Sequence, residues 1–231
     1  MRASAILLAA GEGSRCAGEL PKQFRPLGGR PVLEWACAPF RGCEHVAEII
    51  VVVSSAVLSD PPAWLTGCAD RLVEGGSSRR ESAGRGVREA DPGSDVILIH
   101  DAARPFASLE LIERVAWAAL GGPVVPVLPV ADTIKRVSDD GVIEGTQPRG
   151  ELRRTQTPQG FPGAMIRRLH SDAEDRGLAA PDDAYLCELA GELVASVPGE
   201  ELNLKLTTEA DFEYAEWVAS RFSPEGANDS V

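Results

Sequence analysis

Apolar runs alternate with helix-like patterns through the first half of the chain. Because these runs are continuous rather than alternating with polar residues, each predicts a strand in a sheet that is covered on both faces. The alternation of strands and helices predicts an α/β fold with a doubly wound, mostly parallel sheet. The predicted strands cover 5–10, 48–53, 71–73, 96–100 and 124–130, and the predicted helices cover 31–40, 79–89 and 108–120.

The pattern changes at Asp132, where a polar ribbon interrupts the alternation. Two short β-branched segments flank the sequence Asp139-Asp140-Gly141, which is typical of a hairpin turn. This ribbon has too few apolar residues to bury a face against itself. We therefore expect a β-arm over 132–153 that protrudes from the core and packs on a second copy of the chain, giving a homodimer.

The rest of the chain completes one predicted domain over 1–222. Helices are predicted at 162–175, 182–190 and 208–221, and strands at 192–197 and 202–206. The last residues, 223–231, are polar and predict a frayed tail.

The charge balance narrows the range of partners. Lys and Arg total 23 against 35 for Asp and Glu, a net charge of −12, so we expect neither a nucleic-acid partner nor an anionic membrane. A small polyanion remains compatible with this charge, because a few cations in one cleft can override it locally. No run approaches the ~20 apolar residues that span a bilayer, and the N-terminus lacks a signal-peptide pattern.

The cysteines favour a reducing compartment. They are odd in number, form no CxxC pair and make no ligand-spaced group with the three histidines. We interpret them as reduced, structural thiols of a soluble cytoplasmic protein. They are Cys16, Cys37, Cys43, Cys68 and Cys187.

The turn after the first predicted strand fits neither of two common phosphate-binding loops. A dinucleotide-binding GxGxxG loop needs a small residue where Cys16 stands. A Walker A loop needs Lys followed by Ser or Thr where Glu19 and Leu20 stand. Both assignments fail.

What remains is the pattern GxGxR followed by Pro-Lys, made by Gly11, Gly13, Arg15, Pro21 and Lys22. Glycines let backbone N–H groups approach phosphate oxygens closely. An Arg and a Lys on the same loop suit a triphosphate whose negative charge grows in the transition state. The alternative is a solvated loop with ordinary surface cations.

Seven motifs along the chain decide between these interpretations. They are LLAAGEGSRCAGELPKQF, VEGGSSRRES, VILIHDAARPF, VADTIKR, RTQTPQGF, PDDA and NLKLTTEADF. Together they resemble the 2-C-methyl-D-erythritol 4-phosphate cytidylyltransferase family over residues 4–221, and HDAARP with TPQ is the most specific part. The resemblance implies a nucleotide-diphospho-sugar transferase-like fold. It also implies transfer of a cytidylyl group from CTP to 2-C-methyl-D-erythritol 4-phosphate, with release of pyrophosphate, in the non-mevalonate isoprenoid pathway.

The resemblance assigns the nucleotide to small residues and two cations. Arg15 and Lys22 would stabilise the α-phosphate in the transition state. Many relatives carry Asp where this chain has Ser77, so a side-chain contact there is a weaker expectation. The nucleotide-binding residues would be Ala9, Ala10, Gly11, Gly13, Gly76, Ser77 and Ser82, with Gly75 beside them and Arg79 orienting the loop.

The acceptor and metal residues are also implied by the resemblance. Arg149 and Lys205 would hold the acceptor phosphate for attack, and Thr133 would contact the acceptor. Thr133 and Arg149 lie on the predicted arm, so they would enter the partner's site. Asp101 would be either a ligand of Mg²⁺ (or another divalent cation) or a contact to substrate hydroxyls.

Five further residues receive narrower assignments. Arg104 would reach the substrate or the neighbouring arm, and Thr157 would support the return of the arm. His100 reads as a core or supporting histidine. The pair Asp182-Asp183 resembles a metal-binding pair, but the start of a capped helix explains it better.

Three alternatives stay open. A ribitol-5-phosphate cytidylyltransferase would share the fold and the chemistry, although those relatives more often differ at DAARP. A non-catalytic nucleotide-binding regulatory module would not need the transition-state cations. A nicotinamide-dependent oxidoreductase is disfavoured by Cys16. We also expect no fused cyclase domain in a chain of 231 residues.

Overall fold

The long apolar runs pair in a mixed sheet of eight strands. The computed structural model describes residues 1–11 and 21–222. The strands are β1 (Ala3–Leu8), β2 (Pro26–Leu27), β3 (Arg30–Pro31), β4 (Val46–Val53), β5 (Arg71–Glu74), β6 (Val96–Asp101), β7 (Val124–Pro129), β8 (Ile134–Val137), β9 (Ile143–Gln147), β10 (Arg153–Thr155), β11 (Gln159–Pro162) and β12 (Ala195–Pro198).

The order in the sheet is β10-β7-β11-β6-β1-β4-β5, with β12 paired to β7. Strands β5, β4, β1 and β6 are mutually parallel. Strand β11 runs antiparallel between β6 and β7, and β10 runs antiparallel along β7. Six of the eight strands therefore share one direction, which confirms the predicted mostly parallel α/β sheet.

Helices cover both faces of the sheet. The helices are α1 (Val32–Gly42), α2 (Ser55–Ser59), α3 (Leu65–Cys68), α4 (Arg79–Glu89), α5 (Leu109–Ala119), α6 (Gly163–Asp175), α7 (Ala184–Leu189) and α8 (Glu209–Phe222), with short 3₁₀ turns at Lys22–Phe24 and Arg149–Glu151. One core cluster packs α1 and α5 on one face, and a second packs α4, α6 and α7 on the other. Burying apolar area on two faces explains why β1 and β6 are apolar throughout most of their length.

The predicted arm is present as a separate ribbon. Strands β8 and β9 pair with each other and form a two-stranded sheet apart from the central one. Val137, Val142 and Ile143 on this ribbon are more than half exposed. The ribbon therefore buries little on its own chain, as its composition predicts.

Two of the differences between the predicted and the observed elements have a clear local cause. The segment 202–206 is not a strand, because its polar groups bond to loops: Leu206 N donates to Ala103 O at 2.8 Å, and the Asn203 amide donates to Thr157 O at 2.8 Å. The helix predicted from residue 31 begins at Val32, because Pro31 is extended and precedes it. Among the described helices, none is both long and apolar enough to cross a membrane.

Candidate active site

The carboxyl ends of β1, β4, β5 and β6 lie along one edge of the sheet, because these strands are parallel. Many of the residues predicted from sequence lie at the carboxyl ends of β1, β5 and β6 or just after them: 9–11, 75–77 and 101–104. Open α/β sheets bind ligands in the crevice at this edge. The fold therefore brings these three segments together at one edge of the sheet.

The loops that follow β1 and β5 touch at Ala10 and Gly75. Gly75 N donates to Val53 O at 2.7 Å, and a Cβ built on Gly75 would lie 2.3 Å from the Ala10 Cβ. No side chain fits at that distance. Gly75 is thus required for the close approach of the two loops.

We expect Gly75→Ala to weaken CTP binding at least tenfold, because the added methyl group separates the two loops and shifts those predicted to hold the nucleotide. Calorimetric titration with CTP measures the effect. The matched control is Gly67→Ala on α3, where a Cβ meets nothing within 4 Å. Equal CTP affinity in both variants would contradict the role given to this contact.

The hydroxyl groups near Gly76 hold the loop in shape. Ser82 Oγ donates to Ser78 O at 2.9 Å and accepts the Gly76 N–H at 3.1 Å. Ser77 donates both its N–H and its hydroxyl to a Glu81 carboxylate oxygen, at 2.9 and 2.8 Å. Contacts of Ser77 and Ser82 side chains with cytosine remain predictions, since both hydroxyls are engaged within the loop.

Asp101 lies at the centre of the site, between two cations. Arg79 Nε is 3.2 Å from Asp101 Oδ1, and Lys205 Nζ is 2.6 Å from Asp101 Oδ2. Burial alone would raise the pKa of Asp101, but Arg79 and Lys205 hold it well below its usual range. The carboxylate therefore stays ionised at neutral pH. The stability that these pairs contribute is lost only as the pH falls below the usual Asp range toward the lowered pKa.

His100 is a neutral core residue beside the site, as the sequence suggests. Asp101 N donates to Thr157 Oγ1 at 3.0 Å, and that hydroxyl donates to His100 Nδ1 at 3.0 Å. His100 Nε2 then donates to Arg104 O at 2.9 Å. Burial lowers the pKa of His100 to about 4, so this relay fixes the backbone around Asp101 without a charge.

Lys22 lies close to the segment that carries Lys205. Lys22 Nζ donates to Leu206 O at 3.0 Å, and Leu206 N donates to Ala103 O at 2.8 Å. Leu206, which follows Lys205, is therefore hydrogen-bonded both to Lys22 on the predicted nucleotide side and to Ala103 near Asp101.

Gln23 joins the two described flanks of the glycine loop. Its amide donates to Ala9 O at 2.6 Å and to Gly11 O at 2.9 Å, and the side chain is buried. Arg15 and Gly13 lie outside the described residues, as does the tail 223–231. Their assigned roles remain predictions.

Arg104 binds backbone groups on both sides of the site. Its guanidinium donates to Asn203 O at 2.8 Å and to Thr155 O at 3.3 Å. It thereby ties the base of the arm to the segment before Lys205. Its predicted contact with the substrate is not tested by this arrangement.

Thr133 and Arg149 lie together on the exposed arm. Arg149 donates to Ala131 O, two residues before Thr133, and both side chains belong to exposed residues. Within the described residues, no hydrogen bond or ion pair joins either one to Asp101 or Lys205 of the same chain. Their predicted entry into a partner's site stays a prediction.

Asp182 and Asp183 have separate tasks. Asp182 Oδ1 accepts the Tyr185 N–H at 3.0 Å at the start of α7, so the capped-helix interpretation is confirmed for Asp182. Asp183 is 1% exposed and instead accepts from Arg79 NH1 at 2.8 Å.

The described residues do not by themselves form a metal site. In 1–11 and 21–222, no three His, Cys, Asp or Glu side chains are placed to hold a metal ion together. Both Asp101 oxygens are also paired with cations. A divalent cation would thus need most of its ligands from elsewhere, such as the phosphates of a nucleotide.

Known proteins match this geometry and sequence over nearly the whole chain. The family model described as IspD, 2-C-methyl-D-erythritol 4-phosphate cytidylyltransferase, matches residues 3–221. The chain belongs to the IspD family. Enzymes of this family are nucleotidyltransferases, and so is this chain. The IspD match also carries the assignment to isoprenoid biosynthesis.

Individual IspD relatives cover the chain closely. A 2-C-methyl-D-erythritol 4-phosphate cytidylyltransferase of Frankia casuarinae is 41% identical over 96% of this chain and 83% of that protein. The crystal structure of the Thermus thermophilus enzyme has a TM-score of 0.79 at 38% identity, covering 93% of this chain and 97% of that one. The chain spans 52% of the bifunctional IspD/IspF enzyme of Dinoroseobacter shibae, with 42% identity.

Two features of this IspD site were not predicted from the sequence, and the role of Arg79 was predicted only in part. Gln23 and the pairing of Asp183 with Arg79 carry no local pattern, and the sequence assigns Arg79 only the orientation of its loop. The one signal in the sequence that could have indicated the Asp183–Arg79 pair is charge. A carboxylate in PDDA and an arginine at the start of α4 each need an oppositely charged partner if they are buried.

Proposed function

We propose that this chain transfers the cytidylyl group of CTP to the phosphate of 2-C-methyl-D-erythritol 4-phosphate. A phosphate oxygen of the acceptor attacks the α-phosphorus in line, the bond from that phosphorus to the β-phosphate oxygen breaks, and pyrophosphate leaves. The observation that carries the proposal is the convergence of Lys22, Asp101 and Lys205 at one sheet edge, within a chain of the IspD family. No protein nucleophile is needed, so positioning and charge neutralisation supply the rate.

The roles follow from the charges at that edge. Lys22, with Arg15, neutralises the charge that grows on the α-phosphate, while 9–11 and 75–77 hold the nucleotide. Lys205 and Arg149 bind the acceptor phosphate. When this phosphate takes Lys205, one oxygen of Asp101 is released, and Asp101 then accepts hydrogen bonds from acceptor hydroxyls while Arg79 keeps it ionised.

The divalent cation is proposed to enter on the phosphates of CTP. Both Asp101 oxygens are paired in the described site, so the nucleotide supplies the larger set of hard oxygen ligands. Bound there, Mg²⁺ would neutralise phosphate charge. In the alternative role, Asp101 is itself a metal ligand, and its Oδ2 atom becomes free for this only when Lys205 leaves.

Asp101→Asn separates these two roles. We expect kcat/KM for the acceptor to fall about a hundredfold, because the charge that orients Lys205 and the acceptor hydroxyls is lost. The Mg²⁺ concentration for half-maximal rate should stay unchanged, and EDTA should stop wild-type turnover. A rise in the Mg²⁺ requirement of Asp101→Asn would instead assign the metal to Asp101, and full activity in EDTA would remove the metal from the reaction.

The working unit is proposed to be a homodimer of one catalytic domain over 1–222, with 132–153 as the dimerisation arm. Support comes from the exposed apolar side chains of the ribbon and from the placement of Thr133 and Arg149 on it. A cytoplasmic location is proposed because the described cysteines are free thiols.

Acceptor competition tests the function. Pyrophosphate release is measured with CTP and Mg²⁺ while 2-C-methyl-D-erythritol 4-phosphate or ribitol 5-phosphate is varied. A kcat/KM at least a hundredfold higher for the first acceptor is expected, since several hydroxyl contacts discriminate between the two. Preference for ribitol 5-phosphate would replace the proposed acceptor, and CTP binding without turnover on either would indicate a regulatory module.

A further inference from the structure

A row of ionisable side chains extends from the site into the core, beyond the residues that the reaction uses. Asp101 is bound by Arg79, and Arg79 is bound by Asp183. Behind Asp183 lies His170, with its Nε2 atom 3.2 Å from Asp183 Oδ1. His170 and Asp183 are 3% and 1% exposed, so neither is available to a substrate.

Arg79 is the link between this row and the site. Its Nε end faces Asp101 at 3.2 Å and its NH1 end faces Asp183 at 2.8 Å. A guanidinium is planar and rigid, so fixing one end fixes the direction of the other. Burial would lower the pKa of Arg79, but Asp183 and Asp101 raise it above its usual value, so the group is a permanent cation.

Asp183 is itself held rigidly to the sheet. Gln159 on β11 accepts the N–H groups of Asp183 and Ala184 at 3.1 Å each, and its amide donates to Asp182 Oδ2 at 2.8 Å. Gln159 pairs in register with Ile99 of β6, two residues before Asp101. Strand β6 carries Asp101, and its neighbour β11 holds Asp183 through Gln159. The two carboxylates that flank Arg79 are therefore fixed by the same pair of strands.

His170 supports the far side of Asp183. His170 Nε2 and Asp183 Oδ1 lie against each other, but among the described residues neither atom has a partner with hydrogen-bond geometry. A Cβ on Gly84 would lie 3.2 Å from His170 Nδ1, so α4 packs directly over the imidazole. The ring thus fills the space that would let Asp183 move away from Arg79.

We propose that Asp183, supported by His170, is a positioning residue that acts through Arg79 to orient Asp101 and, through Asp101, Lys205. Without the charge of Asp183, Arg79 loses the anionic partner on its far side and its guanidinium can turn toward Asp101. Asp101 would then be displaced from the position where it meets Lys205 and the acceptor. This inference rests on the proposed function of Asp101 and Lys205.

Asp183→Asn tests the proposal with a neighbour as its control. Per folded enzyme, kcat/KM for the acceptor should fall roughly a hundredfold, the scale expected for a misplaced site, while KM for CTP changes little. Asp182→Asn removes the charge of the adjacent carboxylate, keeps an oxygen that can accept the Tyr185 N–H, and leaves Arg79 paired. It should keep both kinetic constants.

A double mutant separates positioning from a structural role. Because Asp183 acts through Asp101, Asp183→Asn should have almost no further effect on kcat/KM in an Asp101→Asn background, measured in single turnovers with excess enzyme. The same factor in both backgrounds would overturn the proposal. So would Asp183→Asn losing activity only in proportion to its unfolded fraction.

Two further variants keep the test decisive if Asp183→Asn does not fold. His170→Gln should lower the same constant about tenfold and become silent with Asp101→Asn, and unchanged kinetics would overturn the role of His170. Asp183→Glu, which keeps the charge, should recover most of the activity.

The Arg79 Nε–H signal in proton–nitrogen NMR should shift in Asp183→Asn but not in Asp182→Asn. That readout holds whatever the acceptor is, so it fails separately from the proposed function.

Discussion

Lys22→Met is expected to lower kcat by about a hundredfold or more, which corresponds to about 3 kcal/mol of lost transition-state stabilisation. CTP binding should weaken much less, because the charge that Lys22 neutralises grows only as the α-phosphorus is attacked. Arg15→Met should behave in the same way. Steady-state kinetics and calorimetric CTP titration together separate kcat from affinity.

The control for lost charge is Arg88→Met. Arg88 lies on α4 and pairs with Glu174 at the surface, away from the sheet edge. The Arg88→Met variant should leave kcat unchanged. Near-normal turnover of both Lys22→Met and Arg15→Met would make the glycine loop an ordinary solvated loop.

Mixing two inactive variants should restore activity, if the arm enters the partner's site. Arg15→Ala and Arg149→Ala homodimers should each be nearly inactive, since each site would combine Arg15 of one chain with Arg149 of the other. A mixed dimer then holds one doubly damaged site and one intact site. Random exchange makes about half of the dimers mixed, so activity should return to roughly a quarter of wild type.

Exchange is verified with differently tagged subunits recovered in one pull-down. A second mixture, Arg15→Ala with Lys22→Met, serves as the control, because both residues belong to the same loop of one chain. Each site of that mixed dimer carries one damaged loop, so the second mixture should stay inactive. Verified exchange without any recovery in the first mixture would place Arg15 and Arg149 in the same chain's site and leave the arm as a dimer contact only.

The parallel half of the fold could be predicted because its strands are buried on both faces. Strands β1, β4 and β6 contain continuous apolar runs, and little else in a chain of this size explains such runs. Strand β11 could not be predicted, since Gln159–Pro162 has no strand pattern. Its place depends on packing: a Cβ on Gly160 would lie 2.7 Å from Val115 Cγ1 of α5.

The site residues were predicted mainly through the resemblance of the motifs to the family. That resemblance assigned Lys22, Asp101 and Lys205, and the structure places all three at one edge. The ion pairs of the site were not predictable, because each joins two residues that are far apart in sequence. Lys205 is 104 positions from Asp101, and Asp183 is 104 positions from Arg79.

In the proposed reaction, the cytidylyl group is transferred directly to the acceptor's phosphate. The measurement is phosphorus NMR of a reaction of CTP and Mg²⁺ with 2-C-methyl-D-erythritol 4-phosphate that carries heavy oxygen in its phosphate. Direct transfer should give a diphosphate-linked product that retains the label and an equal amount of unlabelled pyrophosphate. Label in the pyrophosphate, or free CMP as the main product, would rule out direct transfer.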